Sequence, residues 1–365
     1  MKIVQLIYSL TGGGAERFTV DLANKLAETN EVYLLLIVKH DAPGANFYFN
    51  DISSKVNVVN LGLDKGLTIK AFPKVINFIR KIKPDVINAH LNTIVYEFPL
   101  AFLFPKIKLF HTLHNPAEIC IGINGQDFFN RFFYKYYIHP ITISKLSDDS
   151  FKKYYGYDNS TLIDNGRSKP LTTSLFLQVK DEIEGYKLHS DDKVFIHVAR
   201  CHEQKNQKML IKCFNRLLLE NKHAILLVCG GGFDSPLGIE IQNLKNREGI
   251  YFLGPKQNIA DYLNCSDAFT LSSYWEGLPI SLLEAMSYGL VPVVTPAGGI
   301  PSVIKDGVTG ILSKDFSDDS FYNAMITYIE RSTVISKEKI VKCYKENYSM
   351  DACAKKYLSL YQRDK

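Results

Sequence analysis

The chain has 365 residues, 46% hydrophobic and 22% charged, with a formal net charge of +5. That length is comfortable for two domains and too long for one ordinary core, while the charge is too low for a basic nucleic-acid reader, so nucleic acid is not an expected partner. The seven cysteines form no C-x-x-C pair and are odd in number, which predicts neither a disulfide framework nor a zinc site and suits a reducing cytoplasm.

The chain opens on a short apolar run, residues 2–10, that stops at Gly12-Gly13-Gly14 without the continuation of a signal peptide. No stretch approaches the roughly 18 apolar residues that span a bilayer. Taken in order, residues 2–10 read as a buried strand, 15–28 as a helix with Phe18, Leu22 and Leu26 on one face, and 32–38 as a second strand. Strands follow at 85–91, 107–114, 141–145 and 161–164, with helices around 68–83, 126–138 and 144–155. After a linker at 165–174 the pattern restarts: strands at 194–200, 225–229, 250–253, 268–272 and 291–295, helices near 206–220, 236–246, 258–264 and 279–288. The last segments, about 316–332, 336–348 and 350–362, are helical. Such alternation implies parallel sheets with helices on both faces, an α/β class with two Rossmann-like domains. Ligands of open α/β sheets bind at the carboxyl ends of the strands, so the expected site lies in a cleft between two facing domains.

The motifs occupy such strand ends. Thr11-Gly12-Gly13-Gly14-Ala15-Glu16 joins the first strand to the first helix and reads either as a tight turn or as a backbone that a ligand approaches closely. Arg200 and Lys205 follow a strand; they are either ordinary solvated cations or two charges for one diphosphate. Cys229-Gly230-Gly231-Gly232 is either a flexible loop or a close wall for a nucleotide. The most specific string is Ser272-Ser273-Tyr274-Trp275-Glu276-Gly277-Leu278-Pro279-Ile280-Ser281-Leu282-Leu283-Glu284-Ala285-Met286. Glu276 is expected in its loop, Glu284 on a helix opened by Pro279, and amides at Gly277 and Leu278 could hold a phosphate. His90, His111 and His114 sit at neighbouring strand ends. No Asp-x-Asp pair and no His/Cys spacing for a metal is present, so neither a metal nor a cofactor is expected.

The Glu276…Glu284 string resembles the E-x7-E signature of family 4 glycosyltransferases, retaining enzymes of the GT-B fold. The likeness extends to Gly12–Gly14, Thr112-Leu113-His114, Leu162-Ile163-Asp164-Asn165-Gly166, Arg200…Lys205-Asn206 and the G-x-x-P-V-V…G-G-x-P…D-G-x-x-G tail from Gly289 to Gly310. It departs at Arg167-Ser168 after the Asn-Gly pair, at Ser302 after Pro301, and at the Arg-Cys-His-Glu-Gln-Lys form of residues 200–205. The resemblance implies an acceptor domain over residues 1–167, a nucleotide-sugar domain over 168–349, and a terminal helix, about 350–365, packed back on the first. It implies donor-diphosphate binding and catalysis by Arg200 and Lys205, ribose binding by Glu284, and contact with the transferred sugar by Glu276. It also places His114 beside the reacting sugar, Gly13 and Gly14 along the acceptor and phosphate side, and Gly277 and Leu278 on the phosphate; Gly230 and Gly231 line the donor in the same reading.

The expected reaction is metal-independent retaining transfer from a nucleoside-diphosphate sugar, UDP first, to a glycan or lipid-linked acceptor in cell-surface polysaccharide synthesis. Two alternatives stay open: a sugar-nucleotide epimerase of the same architecture, and a non-catalytic glycan- or nucleotide-binding module. Cations interleaved with aromatics at 131–137 and 151–155 add the expectation of peripheral association with an anionic membrane at the inner face of the cell membrane, against the alternative that the aromatics are core.

Overall fold

The computed structural model describes residues 1–39, 41–42, 44–64, 68–118, 126–220, 222–331 and 335–363. The chain divides into two compact units, one of Met1–Arg167 with Met350–Lys365 and one of Ser168–Ser349. The first holds a parallel seven-stranded sheet of β1 (Lys2–Ile7), β2 (Glu31–Val38), β3 (Val56–Leu63), β4 (Val86–His90), β5 (Lys108–Leu113), β6 (Ile138–Thr142) and β7 (Thr161–Leu162), in the order β3-β2-β1-β4-β5-β6-β7. The second holds a parallel six-stranded sheet of β8 (Lys193–Val198), β9 (Ala224–Cys229), β10 (Ile250–Gly254), β11 (Ala268–Leu271), β12 (Val291–Val294) and β13 (Ile311–Leu312), in the order β10-β9-β8-β11-β12-β13.

Both sheets are covered on two faces, which is why their central strands are near-continuous apolar runs rather than alternating ones. Ile3, Val4, Leu6 and Ile7 of β1 are all completely buried, as are Leu226, Leu227 and Val228 of β9. The strand order reverses at β1/β4 in the first sheet and at β8/β11 in the second. At such a reversal the connections leave to opposite faces, and a crevice opens beyond the carboxyl ends of the two strands.

Several elements differ from the sequence reading. β3 and β13, and helices at Phe98–Leu103, Phe176–Tyr186 and Ile300–Val303, were not anticipated. The strand expected at 141–145 lies at Ile138–Thr142, and Ser144 instead caps the helix Lys145–Tyr155. The segment expected as a linker is held at both ends. Arg167 is buried and ion-paired with Asp21 of the first unit. In the second unit Tyr288 O–H donates to the carbonyl of Pro170 (2.5 Å), and Thr173 donates to Asp261. The helix Met350–Gln362 closes the first unit by burying Cys353, Tyr357 and Tyr361 in one cluster with Phe18, Leu22 and Leu26. No helix among the described residues is long and apolar enough to cross a membrane.

Candidate active site

In the second unit the residues around β8 and β11 converge. Arg200 lies two residues beyond β8, and its side chain is exposed with no ion-pair partner among the described residues. Lys205 ends a short turn, Glu203–Lys205; Asn206 then takes a left-handed conformation (φ 47°) and the helix starts at Gln207. The turn is stitched to the loop after β11. Ser272 Oγ lies 2.9 Å from the Lys205 carbonyl and 3.0 Å from that of Asn206. Gln204 donates its side-chain amide to the Trp275 carbonyl (2.7 Å), and Tyr274 N–H donates to the Gln204 carbonyl (2.9 Å).

These bonds bring Lys205 Nζ to 2.6 Å from Glu276 Oε1, and Ser273 Oγ–H donates to the same oxygen at 2.6 Å. Glu276 is only 7% exposed, so the charge-assisted contact is made in a partly dried environment that strengthens it. From below, Gly298 (φ 53°) and Gly299 run against the loop: a Cβ on Gly298 would lie 1.8 Å from the Glu276 carbonyl oxygen, and one on Gly299 2.3 Å from that of Gly277. Only glycine permits that approach. Glu284 is nearly buried on the helix Ile280–Ser287, for which Pro279 is the N-cap rather than the first helical residue. Leu278 is buried and Gly277 exposed.

Arg200 is positioned through its backbone. Gln207 donates to the Arg200 carbonyl (2.9 Å), and its amide nitrogen also lies 3.3 Å from His197 Nε2. His197 Nδ1–H donates to the Thr270 carbonyl (2.9 Å), which leaves Nε2 as the acceptor. Burial holds His197 down to about 4, so it stays neutral. Gly230 (φ 151°) is glycine because a Cβ would stand 1.9 Å from the Ala199 carbonyl oxygen, a demand of the chain itself; Gly231 has open space where its Cβ would be.

In the first unit the corresponding strand ends are those of β1 and β4, with β5 beside them. The helix Gly14–Leu26 begins after Gly13, and its first turn already carries a carboxylate: Thr11 Oγ–H donates to Glu16 Oε1 at 2.5 Å, and Glu16 Oε2 lies 2.3 Å from where a Gly13 Cβ would be. Of the three histidines, His111 is fully engaged. Its Nε2–H donates to the carbonyl of Leu91 (2.7 Å), a residue in the left-handed region at φ 55°, and its Nδ1 takes the Tyr134 hydroxyl proton (2.6 Å). It therefore orients the turn after β4. His90 and His114 are brought together, Nδ1 to Nε2 at 2.9 Å, and His90 is completely buried against Gln5 and Asn88. Burial and the neighbouring His111 hold His114 down to about 3.

Sequence reasoning did not single out Gln5, Gln204, Gln207 or Ser273. Their polarity on otherwise apolar or loop segments was the available signal; the partners of Gln5 and Gln204 lie far away in sequence, 85 residues to His90 and 71 to Trp275, while those of Gln207 and Ser273 are close, 7 residues to Arg200 and 3 to Glu276. Among the described residues no three His, Cys, Asp or Glu side chains cluster as a metal would require.

Residues 12–168 match the family model for Glycosyltransferase Family 4, and residues 178–349 match that for Glycosyl transferases group 1. An uncharacterized glycosyltransferase of Methanocaldococcus jannaschii is 25% identical over 311 residues, 75% of this chain and 73% of the relative. The Escherichia coli UDP-Gal:alpha-D-GlcNAc-diphosphoundecaprenol alpha-1,3-galactosyltransferase is 32% identical over 154 residues, 40% of this chain and 39% of the relative. The crystal structure of Anabaena HepE in complex with UDP and glucose superimposes with a TM-score of 0.76 at 18% identity, covering 99% of each chain, a likeness of fold. With two parallel α/β units and both family models matched in succession, the chain belongs to the family 4 glycosyltransferases of the GT-B fold.

Proposed function

We propose that this glycosyltransferase transfers a hexose, with retention, from a UDP-sugar to a hydroxyl of a glycan or lipid-linked acceptor in cell-surface polysaccharide synthesis. The observation that carries the reading is the stapled Lys205–Glu276 pair beside the unpaired Arg200 at the β8/β11 reversal. Arg200 and Lys205 supply the positive charge that a departing diphosphate needs, so no divalent metal is required. Glu284 holds the ribose hydroxyls, Glu276 the transferred sugar, and the Gly277–Leu278 backbone the phosphate. In the first unit His114 faces the reacting sugar, and Gly13 and Gly14 line the acceptor and phosphate side. A relative named as a UDP-Gal transferase onto a lipid-linked sugar, and a similar fold that binds UDP and glucose, favour this donor and acceptor class. The epimerase and binding-module alternatives draw no such support. The test is a screen of UDP-, GDP- and ADP-sugars in EDTA with mass spectrometry of the products. Turnover of a UDP-sugar in chelator is the expected result; turnover that appears only with Mn²⁺ or Mg²⁺ refutes the metal-free reading.

A second observation favours membrane association. Of the two segments expected to meet lipid, 151–155 presents little aromatic surface: Phe151 and Tyr155 are buried, as are Phe133 and Tyr134, and Tyr154 is half-buried with Arg131 over its ring. The helix Gln126–Tyr136 instead leaves Phe128 (74%), Phe129, Phe132 and Tyr136 exposed, next to exposed Phe102 and Leu103, with Lys135 over the Tyr136 ring. Exposed aromatics flanked by lysine suit the headgroup interface of an anionic bilayer. The Phe128→Ser/Phe132→Ser variant is expected to lose sedimentation with phosphatidylglycerol vesicles at low salt; equal sedimentation refutes this face.

A further inference from the structure

The polar cluster under β1, β4 and β5 has a direction. Thr112 Oγ–H donates to Asn88 Oδ1 (3.0 Å), with the Tyr357 hydroxyl behind it at 3.2 Å. With its oxygen so engaged, Asn88 turns its amide nitrogen to Gln5 Oε1 (3.1 Å). That same oxygen stands 2.7 Å from His90 Nε2, and an amide oxygen only accepts. His90 must then carry its proton on Nε2, which leaves Nδ1 bare in the neutral ring. At 2.9 Å from that bare Nδ1, His114 Nε2 must be the donor. The His114 ring is clamped in this pose by the edge of Phe18, with centroids 5.6 Å apart. His114 Nδ1 has no partner among the described residues, and unlike Gln5 Nε2 it is not sealed from solvent.

We propose that Gln5 and His90 are positioning residues that hold His114 as its Nε2–H tautomer, so that a bare Nδ1 faces the substrate and accepts a hydrogen bond from a sugar hydroxyl. The inference rests on the reading that His114 faces the reacting sugar. Burial keeps all three imidazoles neutral, in keeping with a group that orients a hydroxyl rather than removes its proton. Gln5 is the deciding residue because a rival donor waits beside His90: Asn88 Nδ2 lies 3.3 Å from His90 Nε2. Without the Gln5 oxygen, Asn88 donates to Nε2, His90 takes its proton to Nδ1, and His114 becomes a donor towards the substrate.

The experiment is ¹⁵N NMR on protein labelled at histidine, with the His114 resonances assigned by difference against His114→Gln. In the unsubstituted protein, without substrate, the proton on His114 is expected on Nε2 and Nδ1 should show the shift of a bare nitrogen. A proton on Nδ1, or a cationic ring at neutral pH, overturns the relay, and this measurement needs no variant to fold. In Gln5→Met, similar in length but lacking the acceptor, the two His114 nitrogens should exchange their signatures and turnover should fall by roughly tenfold or more, as expected when a donor meets a donor. Exchanged signatures with unchanged turnover would overturn the positioning role, and would place the fault in the reading of His114 rather than in the relay.

Discussion

Replacing Gly298 by alanine isolates the geometry of the Glu276 loop, proposed to be catalytic, without touching any group proposed to meet substrate. The new Cβ would lie 1.8 Å from the Glu276 carbonyl oxygen, where real Cβ contacts are essentially never under 3.0 Å, so the loop must retreat by about 1.2 Å. The left-handed backbone at φ 53° adds about 1–2 kcal/mol for any side chain, and overpacking of this kind costs typically about 1–3 kcal/mol. Together these predict a loss of roughly 2–5 kcal/mol, and at about 2–4 °C per kcal/mol for a unit of this size the melting temperature should fall by roughly 4–20 °C. The kinetic effect is separate. A retreat on this scale lengthens the 2.6 Å contact between Lys205 and Glu276, and a misplacement of about 1 Å costs on the order of a hundredfold in rate. Gly307→Ala is the control: its φ of 70° carries the same backbone strain, but nothing lies within 4 Å of the added carbon. Calorimetry and steady-state kinetics well below both melting temperatures separate the two costs. Gly307→Ala should lose stability and keep its turnover; Gly298→Ala should lose both. A folded Gly298→Ala protein with the turnover of the control refutes the dependence of catalysis on this loop.

Glu284→Ala should weaken UDP binding roughly ten- to a hundredfold, the worth of a hydrogen bond to a charged group at about 1.5–3 kcal/mol, whereas Glu276→Ala should keep or tighten it, because Lys205 loses its carboxylate partner, and depress turnover instead; titration calorimetry showing the opposite pattern reverses the two assignments. Acid stability offers an independent check. The folded-state value of His197 is lowered from 6.5 to about 4, so below pH 6.5 the unfolded chain binds a proton that the folded chain refuses, and stability present above 6.5 is lost as pH falls towards 4. By pH 5 the loss is on the order of 2 kcal/mol. The buried carboxyl of Glu97, held protonated well above its ordinary range, acts in the opposite sense but in the first unit. The decline in melting temperature of the second unit between pH 7 and pH 5 should therefore be shallower in His197→Gln than in the unsubstituted protein, and equal slopes contradict the neutral buried imidazole.

How far the fold could be read depends on burial. β1, β2, β8 and β9 are covered on both faces, and their largely apolar runs, broken only by Gln5 in β1 and His197 in β8, are legible in the sequence. β3 is an edge strand in which Asn57, Asn60 and Gly62 interrupt the run and most residues are partly exposed, so neither a continuous nor an alternating pattern survives. β13 has two residues, too few for any period. The helix Phe176–Tyr186 buries only Val179 and Ile183, a four-residue spacing that two anchors alone do not distinguish from chance. The helix Phe98–Leu103 carries Pro99 in its first turn, where proline is tolerated but reads as a break.

The site was legible where its parts are neighbours in the chain and hidden where they are not. Glu276 and Glu284 share one string because a loop and the helix that follows it are built from consecutive residues, and acidic residues at that junction stand out. The glycines looked alike in the sequence yet answer to different demands. Gly230, Gly298 and Gly299 are glycines because another stretch of the same chain occupies the place of their Cβ, at 1.9, 1.8 and 2.3 Å. Those contacts span 22 residues or more and leave no local mark. Gly14, Gly231 and Gly277 have nothing within 4 Å of that position, and neither Gly231 nor Gly277 needs a left-handed backbone. A glycine that the fold does not require, at the carboxyl end of a strand beside a sheet reversal, is kept where something outside the chain must come close. By that criterion Gly230 is explained by the packing of the chain itself, whereas Gly231 and Gly277 are the positions to test for contact with the proposed donor, and Gly231→Ala and Gly277→Ala should weaken UDP binding without a comparable loss of stability.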